Sequence, residues 1–197
     1  MKSGNFVDNF NFNFNFNFNF FLPLLMERLD MNFYALDAVT VAQQLLGKEI
    51  VRRWDNGSVS RYVISETEAY FGEDDKACHA SKGRTLRTEI MYSEGGYVYV
   101  YLIYGMYWML NVVTGEKSHP EAVLIRGIND IVGSGKVGRE LKLDKSFYGE
   151  SLISSSRIWI ENPLDSHPIK YVSAPRVGVD YAGEEWRNKP WRFILQR

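Results

Sequence analysis

The stretch YVYVYLIYGMYWMLN, running from Tyr97 to Asn111, decides how this chain folds and what it can hold. Tyr97, Tyr99 and Tyr101 alternate with Val98 and Val100, and successive side chains of a β-strand point to opposite faces. A strand here lines one face with phenol rings and turns its valines to the other. After Ile103 the run is interrupted by Tyr104-Gly105-Met106, and glycine within a strand pattern marks a tight bend or a close backbone approach. Tyr104 is therefore expected at an exposed tip between the strands Tyr97–Tyr104 and Tyr107–Thr114. One tyrosine in a strand is an ordinary β-former. Five within residues 97–107 read as a stacking platform.

Upstream, Tyr62-Val-Ile-Ser-Glu-Thr-Glu68 alternates in the same way, with Glu66 and Glu68 on one face and Thr67 on the other. Lys48–Trp54 and Ser60–Glu68 flank Asp55-Asn-Gly57, and Asn-Gly is the signal of a hairpin with a type I′ turn. Asp37 before Ala38–Leu46, with Gly47 after it, reads as a capped helix with a glycine stop. The polar segment Gly72–Glu89 is expected to loop over a pocket. Downstream the pattern predicts a strand Glu121–Gly127, a helix Lys136–Leu143 and a strand Arg157–Glu161. A strand Val172–Val179 with Pro175 at its edge, a helical turn Ala182–Asn188 and a strand Trp191–Leu195 follow. The elements add up to an α+β fold, a single domain with a mixed, mostly antiparallel curved sheet and a few flanking helices.

The folded domain is expected over residues 31–197, an ordinary size for one core. Residues 1–30 are read apart from it, because Asn9-Phe10 to Asn19-Phe20 is a strict dipeptide repeat. Such a repeat arises from one hexanucleotide copied in the gene, so Met26 or Met31 is the expected start of the functional chain. Asparagine interrupts the repeat too regularly for a membrane span or a signal peptide. If made, it is disordered or, with every Phe on one face of a strand, prone to aggregate.

The formal charge is −1, from 23 basic and 24 acidic residues, which gives little long-range attraction to a polyanion. Local clusters offset this: Lys82, Arg84 and Arg87, then Lys136, Arg139, Lys142 and Lys145. The single Cys78 excludes an iron–sulfur cluster and a cysteine zinc site, and fits a reducing compartment. His79, His119 and His167 are scattered without ligand spacing. Gly133-Ser-Gly-Lys-Val-Gly138 satisfies GxGxxG, but the polar break Gly127–Asp130 separates it from the preceding strand, and no strand–helix alternation surrounds it. Val137 also stands where a phosphate loop needs Ser or Thr after its Lys. Lys82 lies among Ser81, Gly83 and Arg84, in a loop too polar to activate an amine nucleophile by desolvation.

An enzyme acting on a nucleobase must take the base out of the stack, hold it between aromatic faces and fill the gap it leaves. The tyrosine ladder and its tip offer parts for each task, and Glu66 or Glu68 offers a group to activate water. Two other readings use the same residues. One is a non-catalytic nucleic-acid-binding module in which Glu68 only salt-bridges Arg126. The other is a small-molecule nucleosidase or glycosidase working through Glu66 and Glu68, which leaves the tip at Tyr104 without a task.

Read in order, Glu66-Thr-Glu-Ala-Tyr70, Asp74-Asp-Lys-Ala-Cys-His79, Gly83-Arg-Thr85, Tyr99-Val-Tyr-Leu-Ile-Tyr-Gly-Met106, Leu110-Asn111, Ala122-Val-Leu-Ile-Arg126 and Pro190-Trp-Arg-Phe193 resemble the alkyladenine (3-methyladenine) DNA glycosylase family, bacterial type. The match runs in order from Phe33 to the C-terminus. It implies a monofunctional enzyme of base-excision repair that flips an alkylated or deaminated purine out of double-stranded DNA. Hydrolysis of the N-glycosidic bond then leaves an abasic site, with no metal, cofactor or Schiff base. The resemblance makes Glu68 the general base, with Arg126 and the backbone carbonyl of Val177 positioning the water and Glu66 in support. Tyr70, His79 and Tyr101 would sandwich the base, and Asn111 would crowd the exocyclic amine of guanine. Tyr104 would be the wedge, with Met106 and Tyr107 in the minor groove. A monomer is implied, cytoplasmic and nucleoid-associated when on DNA, with no membrane attachment. A positively charged alkylated purine is expected to stack well on the tyrosines through cation–π attraction. Two departures stand out: Ser134 replaces a proline in the family's Gly-Pro-Gly-Lys turn, where Lys136 would meet a phosphate, and Gly138-Arg139 is expected to loosen the start of the following helix.

Overall fold

A computed structural model of the chain describes residues 27–165 and 168–196; the Asn-Phe repeat and His167 lie outside them. Two short helices, α1 (Met31–Tyr34) and α2 (Ala38–Gln44), precede the first hairpin, β1 (Glu49–Arg53) and β2 (Val59–Phe71). Asp37 caps α2 as expected, its Oδ1 accepting from the Val39 and Thr40 amides at 3.0 Å each. Such a cap satisfies donors that the first helical turn leaves without partners. The hairpin loop is not type I′: Asn56 does not take a positive φ, and Gly57 alone is left-handed at 82°. The Trp54 amide donates to the Ser58 carbonyl at 2.8 Å, a three-residue loop that needs its glycine at the last position.

The chain continues through β3 (Val98–Ile103), β4 (Tyr107–Thr114), β5 (Glu121–Ile128), β6 (Ile131–Val132), α3 (Ser134–Glu140), β7 (Ile158–Glu161), β8 (Lys170–Ala174), α4 (Glu184–Arg187) and β9 (Arg192–Gln196). Among the described residues nine strands form one sheet of order β3-β4-β5-β2-β1-β7, with β6 on β5, β9 on β2 and β8 on β9. The sheet is not mixed, since every one of these pairings is antiparallel. No helix among the described residues is long and apolar enough to cross a membrane.

The alternation in β3 separates two packing environments. Val98 and Val100 join the aliphatic core with α2, Ile64 and Phe193, whereas Tyr99 packs on the other face with Cys78, Met91 and Ala122, next to Tyr70 and Tyr101. Strand β2 connects them. Its first half pairs with β1, and its second half runs between β5 and β9, with register shifts at Ile64/Glu66 and Glu66/Thr67. A bulge of this kind re-aims side chains. Gly127 faces it, and a Cβ there would stand 2.7 Å from Ser65 Oγ and 2.9 Å from Glu66 Cβ, so β5 passes the bulge because it carries no side chain at that point.

Three further expectations are corrected. Strand β8 ends at Ala174 instead of running to Val179; Pro175 has no amide to continue the ladder, and Arg176 is drawn into the interior. Helix α3 starts at Ser134, two residues before Lys136. Gly138 lies inside it, where a Cβ would come within 1.8 Å of the Trp108 carbonyl oxygen, so this glycine lets the helix lie on β4 rather than loosening its start.

The third concerns residues 27–30, read above as tail. The Leu29 amide donates to Ile160 O and the Asn162 amide to Glu27 O, both at 2.9 Å, and the Arg28 guanidinium sits 4.5 Å from the Trp159 ring centroid. Leu29 is buried. Burying a leucine is worth about 1.5–3 kcal/mol. A chain starting at Met31 should therefore melt roughly 3–12 °C below one starting at Glu27. Equal melting temperatures by calorimetry would show that these residues contribute nothing.

Candidate active site

The aromatic face of the sheet, the 75–87 loop and the 177–181 segment enclose a cavity of about 690 Å³. Glu68, from the last part of β2, stands behind its wall, fully buried. Its Oε2 accepts from Tyr70 Oη at 2.9 Å and its Oε1 from the Val177 amide at 2.9 Å. Arg126 Nε lies 3.5 Å from Oε1. The carboxylate thus accepts one hydrogen bond on each oxygen and faces Arg126 as an ion pair, leaving lone-pair positions for a further donor. Burial pushes the Glu68 carboxyl above its ordinary 4.5, opposed by Arg126, the Val177 amide and Tyr70.

Glu66 and Glu68 share a face, as the alternation predicts, but Arg126 divides itself unequally. Its Nε is 2.9 Å from Glu66 Oε1. The same oxygen accepts from Arg192 Nη1 at 3.1 Å, while Arg192 Nε donates to the Pro175 carbonyl at 3.0 Å. The Val177 N–H holds Glu68, a contact the sequence did not signal, beside the role in positioning water that the resemblance implied for its carbonyl.

Tyr70 is held from behind. The Arg176 guanidinium lies 4.8 Å from its ring centroid and 5.2 Å from that of Trp191. Arg176 and Asp75 form a bidentate pair, both side chains fully buried. Asp75 also accepts from the Phe71 and Ala77 amides at 3.1 and 3.0 Å, and Arg176 donates to Ala69 O at 2.9 Å. One salt bridge thereby ties the end of β2, the 75–77 turn and the segment carrying Val177.

Across the cavity, His79 and Tyr101 meet edge to face with ring centroids 4.6 Å apart. His79 Nδ1 is 2.8 Å from Tyr99 Oη, and Arg87 Nη2 is 3.4 Å from Nε2. A guanidinium only donates, so Nε2 accepts and Nδ1 carries the proton given to Tyr99, an assignment made from the network. Burial, with Arg87 and Lys82 nearby, lowers the imidazole to about 4; His79 is neutral at physiological pH. Asn111, from β4, is buried with Nδ2 donating to Tyr99 O at 3.1 Å.

The structure therefore gathers Tyr70, His79, Tyr101, Asn111, Arg126 and Val177 around one cavity. Tyr104 stands at its edge, 84% exposed with φ 52°, the exposed tip expected from the sequence. Met106 is also exposed and Tyr107 half-buried; these two line a neighbouring hollow beside α3. Asp75, Arg176 and Arg192 were not singled out from sequence as site residues. Arg192 and Asp75 lie within the quoted motifs, but nothing local signals that either is bonded to a distant partner.

The profile of the methylpurine-DNA glycosylase family matches residues 32–132 and 130–197. A relative from Natranaerobius thermophilus named "Putative 3-methyladenine DNA glycosylase" is 41% identical, covering 86% of this chain and 96% of its own. Relatives of the same name from Methanocella arvoryzae and Desulfitobacterium hafniense are each 40% identical, covering 85% and 87% of this chain and 92% and 96% of theirs. With that profile over nearly all of the described residues, and such relatives along most of the sequence, the chain belongs to the methylpurine-DNA glycosylase family.

Proposed function

We propose that this protein hydrolyses the N-glycosidic bond of a damaged purine flipped out of double-stranded DNA, with Glu68 as the general base. The observation that carries this reading is the buried Glu68 carboxylate, held by Tyr70, the Val177 amide and Arg126 behind a cavity walled by Tyr70, His79 and Tyr101. The extruded base stacks between Tyr70 on one side and His79 with Tyr101 on the other, where each aromatic contact contributes about 1–3 kcal/mol. Asn111, anchored to Tyr99, presents a fixed amide to the edge of the base and crowds the amine of guanine. Water held between Glu68 and Arg126 attacks C1′ as the base departs, and one chain supplies every group used.

A binding module in which Glu68 merely neutralises Arg126 fits the geometry poorly, because Glu66 is the nearer partner of Arg126, at 2.9 against 3.5 Å. Duplexes carrying one lesion each, scored for alkali-labile sites, test the proposal. Binding without strand scission after alkali would refute it.

Tyr104 is the wedge of this reading, with Met106 and Tyr107 beside it in the minor groove. Unstacking a base costs a few kcal/mol, and Tyr104→Ala leaves nothing to occupy the vacated space. Fluorescence of 2-aminopurine next to the lesion should then report a smaller flipped fraction. Unchanged fluorescence would place the wedge elsewhere.

A further inference from the structure

Two carboxylates face one guanidinium behind the cavity wall, and the nearer of them is not the base. Glu66 meets Arg126 Nε at 2.9 Å and Glu68 only at 3.5 Å, so Glu66 competes for the cation that Glu68 and its water need. Burial chiefly raises the Glu68 carboxyl, and the charge of Glu66 adds to it. Arg192 offsets this competition. It stands across from Glu68 in the pairing of β2 with β9, and across from Ala174 in that of β8 with β9. Diagonal neighbours on one face of an antiparallel pair lie within reach of a long side chain, and Arg192 Nη1 reaches Glu66 Oε1 at 3.1 Å in this way. Its Nε donates to the Pro175 carbonyl at 3.0 Å, two residues before the Val177 amide that holds Glu68.

One side chain therefore neutralises the competing carboxylate and fixes the start of the turn that delivers the amide. It does so from outside, since Arg192 is not among the residues lining the cavity. Resting on the glycosylase reading above, we propose that Arg192 is a positioning residue: it holds Glu66, leaving Arg126 to Glu68 and its water, and it keeps the Val177 amide on the carboxylate of the base.

The groups facing Glu68 are Arg126 on β5, Glu66 and Tyr70 on β2, Tyr101 on β3, and Arg176 with the Val177 amide after β8. Without Arg192, Glu66 draws Arg126 away from Glu68, its own charge is less neutralised, and the Val177 amide is less firmly held. All three changes take favourable partners from the Glu68 carboxylate or add like charge, so it takes up a proton at a higher pH. A general base acts only when ionised, and the acid side of the rate profile must move up with it.

The test is single-turnover base release against pH, at saturating enzyme, from duplexes carrying one 7-methylguanine or one hypoxanthine. For Arg192→Met the acid midpoint should rise by about one pH unit, the low end for a neighbouring charge because water reaches part of the Arg192 side chain. Below both midpoints that is about a tenfold loss beyond any loss on the alkaline plateau. Arg192→Lys keeps the charge without the fork that serves two acceptors, and should shift the midpoint less. Arg192→Met combined with Glu66→Gln removes the competing charge as well and should bring most of the shift back, a rescue that lost packing would not show. Should Arg192→Met not fold, Arg192→Lys with and without Glu66→Gln carries the same comparison. Loss by one factor at every pH with the midpoint in place overturns the inference, as does a double variant whose midpoint stays with that of the single one. Glu68→Gln run alongside separates the two levels. If wild type releases neither base, or Glu68→Gln matches it, the glycosylase reading fails and this inference with it; if Glu68→Gln is inactive while the Arg192→Met midpoint stays put, the positioning inference alone fails.

Discussion

Glu68→Gln should leave binding to a lesion duplex in place and lower single-turnover base release by a factor of ~10²–10⁴. The amide keeps the volume of the side chain, and its oxygen can still accept from the Val177 amide or Tyr70 Oη, so the cavity keeps its shape. What is lost is the proton acceptor. Because the carboxyl must be ionised to act, and burial raises it above its ordinary 4.5, wild-type release should fall on the acid side with a midpoint above that value. The linkage to stability has the opposite sense. A carboxyl whose folded-state pKa is raised stabilises the fold below its unfolded pKa, and this contribution is lost as pH rises through the folded value. At neutral pH the ionised Glu68 opposes folding, so the glutamine variant should melt no lower than wild type. Release within tenfold of wild type would remove Glu68 from the role of base. Glu66→Gln, which touches Arg126 and Arg192 rather than the water, should be milder.

Asp75→Ala should be the most destabilising single change among the site residues. It leaves the Arg176 guanidinium fully buried without its carboxylate, and breaking one side of a buried pair costs about 3–5 kcal/mol. For a domain of this size that lowers the melting temperature by roughly 6–20 °C. Arg176 Nε is buried with no hydrogen-bond partner, so the pair is imperfectly satisfied even in the native chain. Replacing both members, Asp75→Leu with Arg176→Met, should therefore recover much of the loss, since a buried pair often exchanges for apolar groups near neutrality. Calorimetry of the single and double variants decides it. A loss under ~1 kcal/mol for Asp75→Ala, the range of an exposed pair, would mean that solvent reaches the site.

The hairpin Tyr97–Thr114, the cap at Asp37 and the strand bearing Glu68 were legible because each rests on side chains a few residues apart. Period-two alternation assigns faces before any partner strand is known. The exposed tip at Tyr104 was legible for the same reason: a glycine between two strand patterns dictates a turn there. The hairpin loop at Asn56-Gly57 was misread because an Asn-Gly pair fits both a two-residue and a three-residue loop, and flanking pairing chooses between them. Strand β8 was read past Pro175 because nothing local shows Arg176 turning inward.

By itself, then, the sequence determined the α+β sheet, the face on which the tyrosines and both glutamates lie, and the family to which the motifs point. The tertiary structure alone decided that both carboxylates are buried, that the Val177 N–H reaches Glu68, and that Asp75 finds Arg176 across 101 residues. It also decided that guanidinium groups already occupy the faces of Tyr70 and Tyr101. The physical reason is range. Strand periodicity and caps are set by neighbours along the chain, whereas burial, proton affinity and the field in a cavity depend on every group brought close in space, and those groups come from β2, β5, β9 and two loops that no local pattern connects.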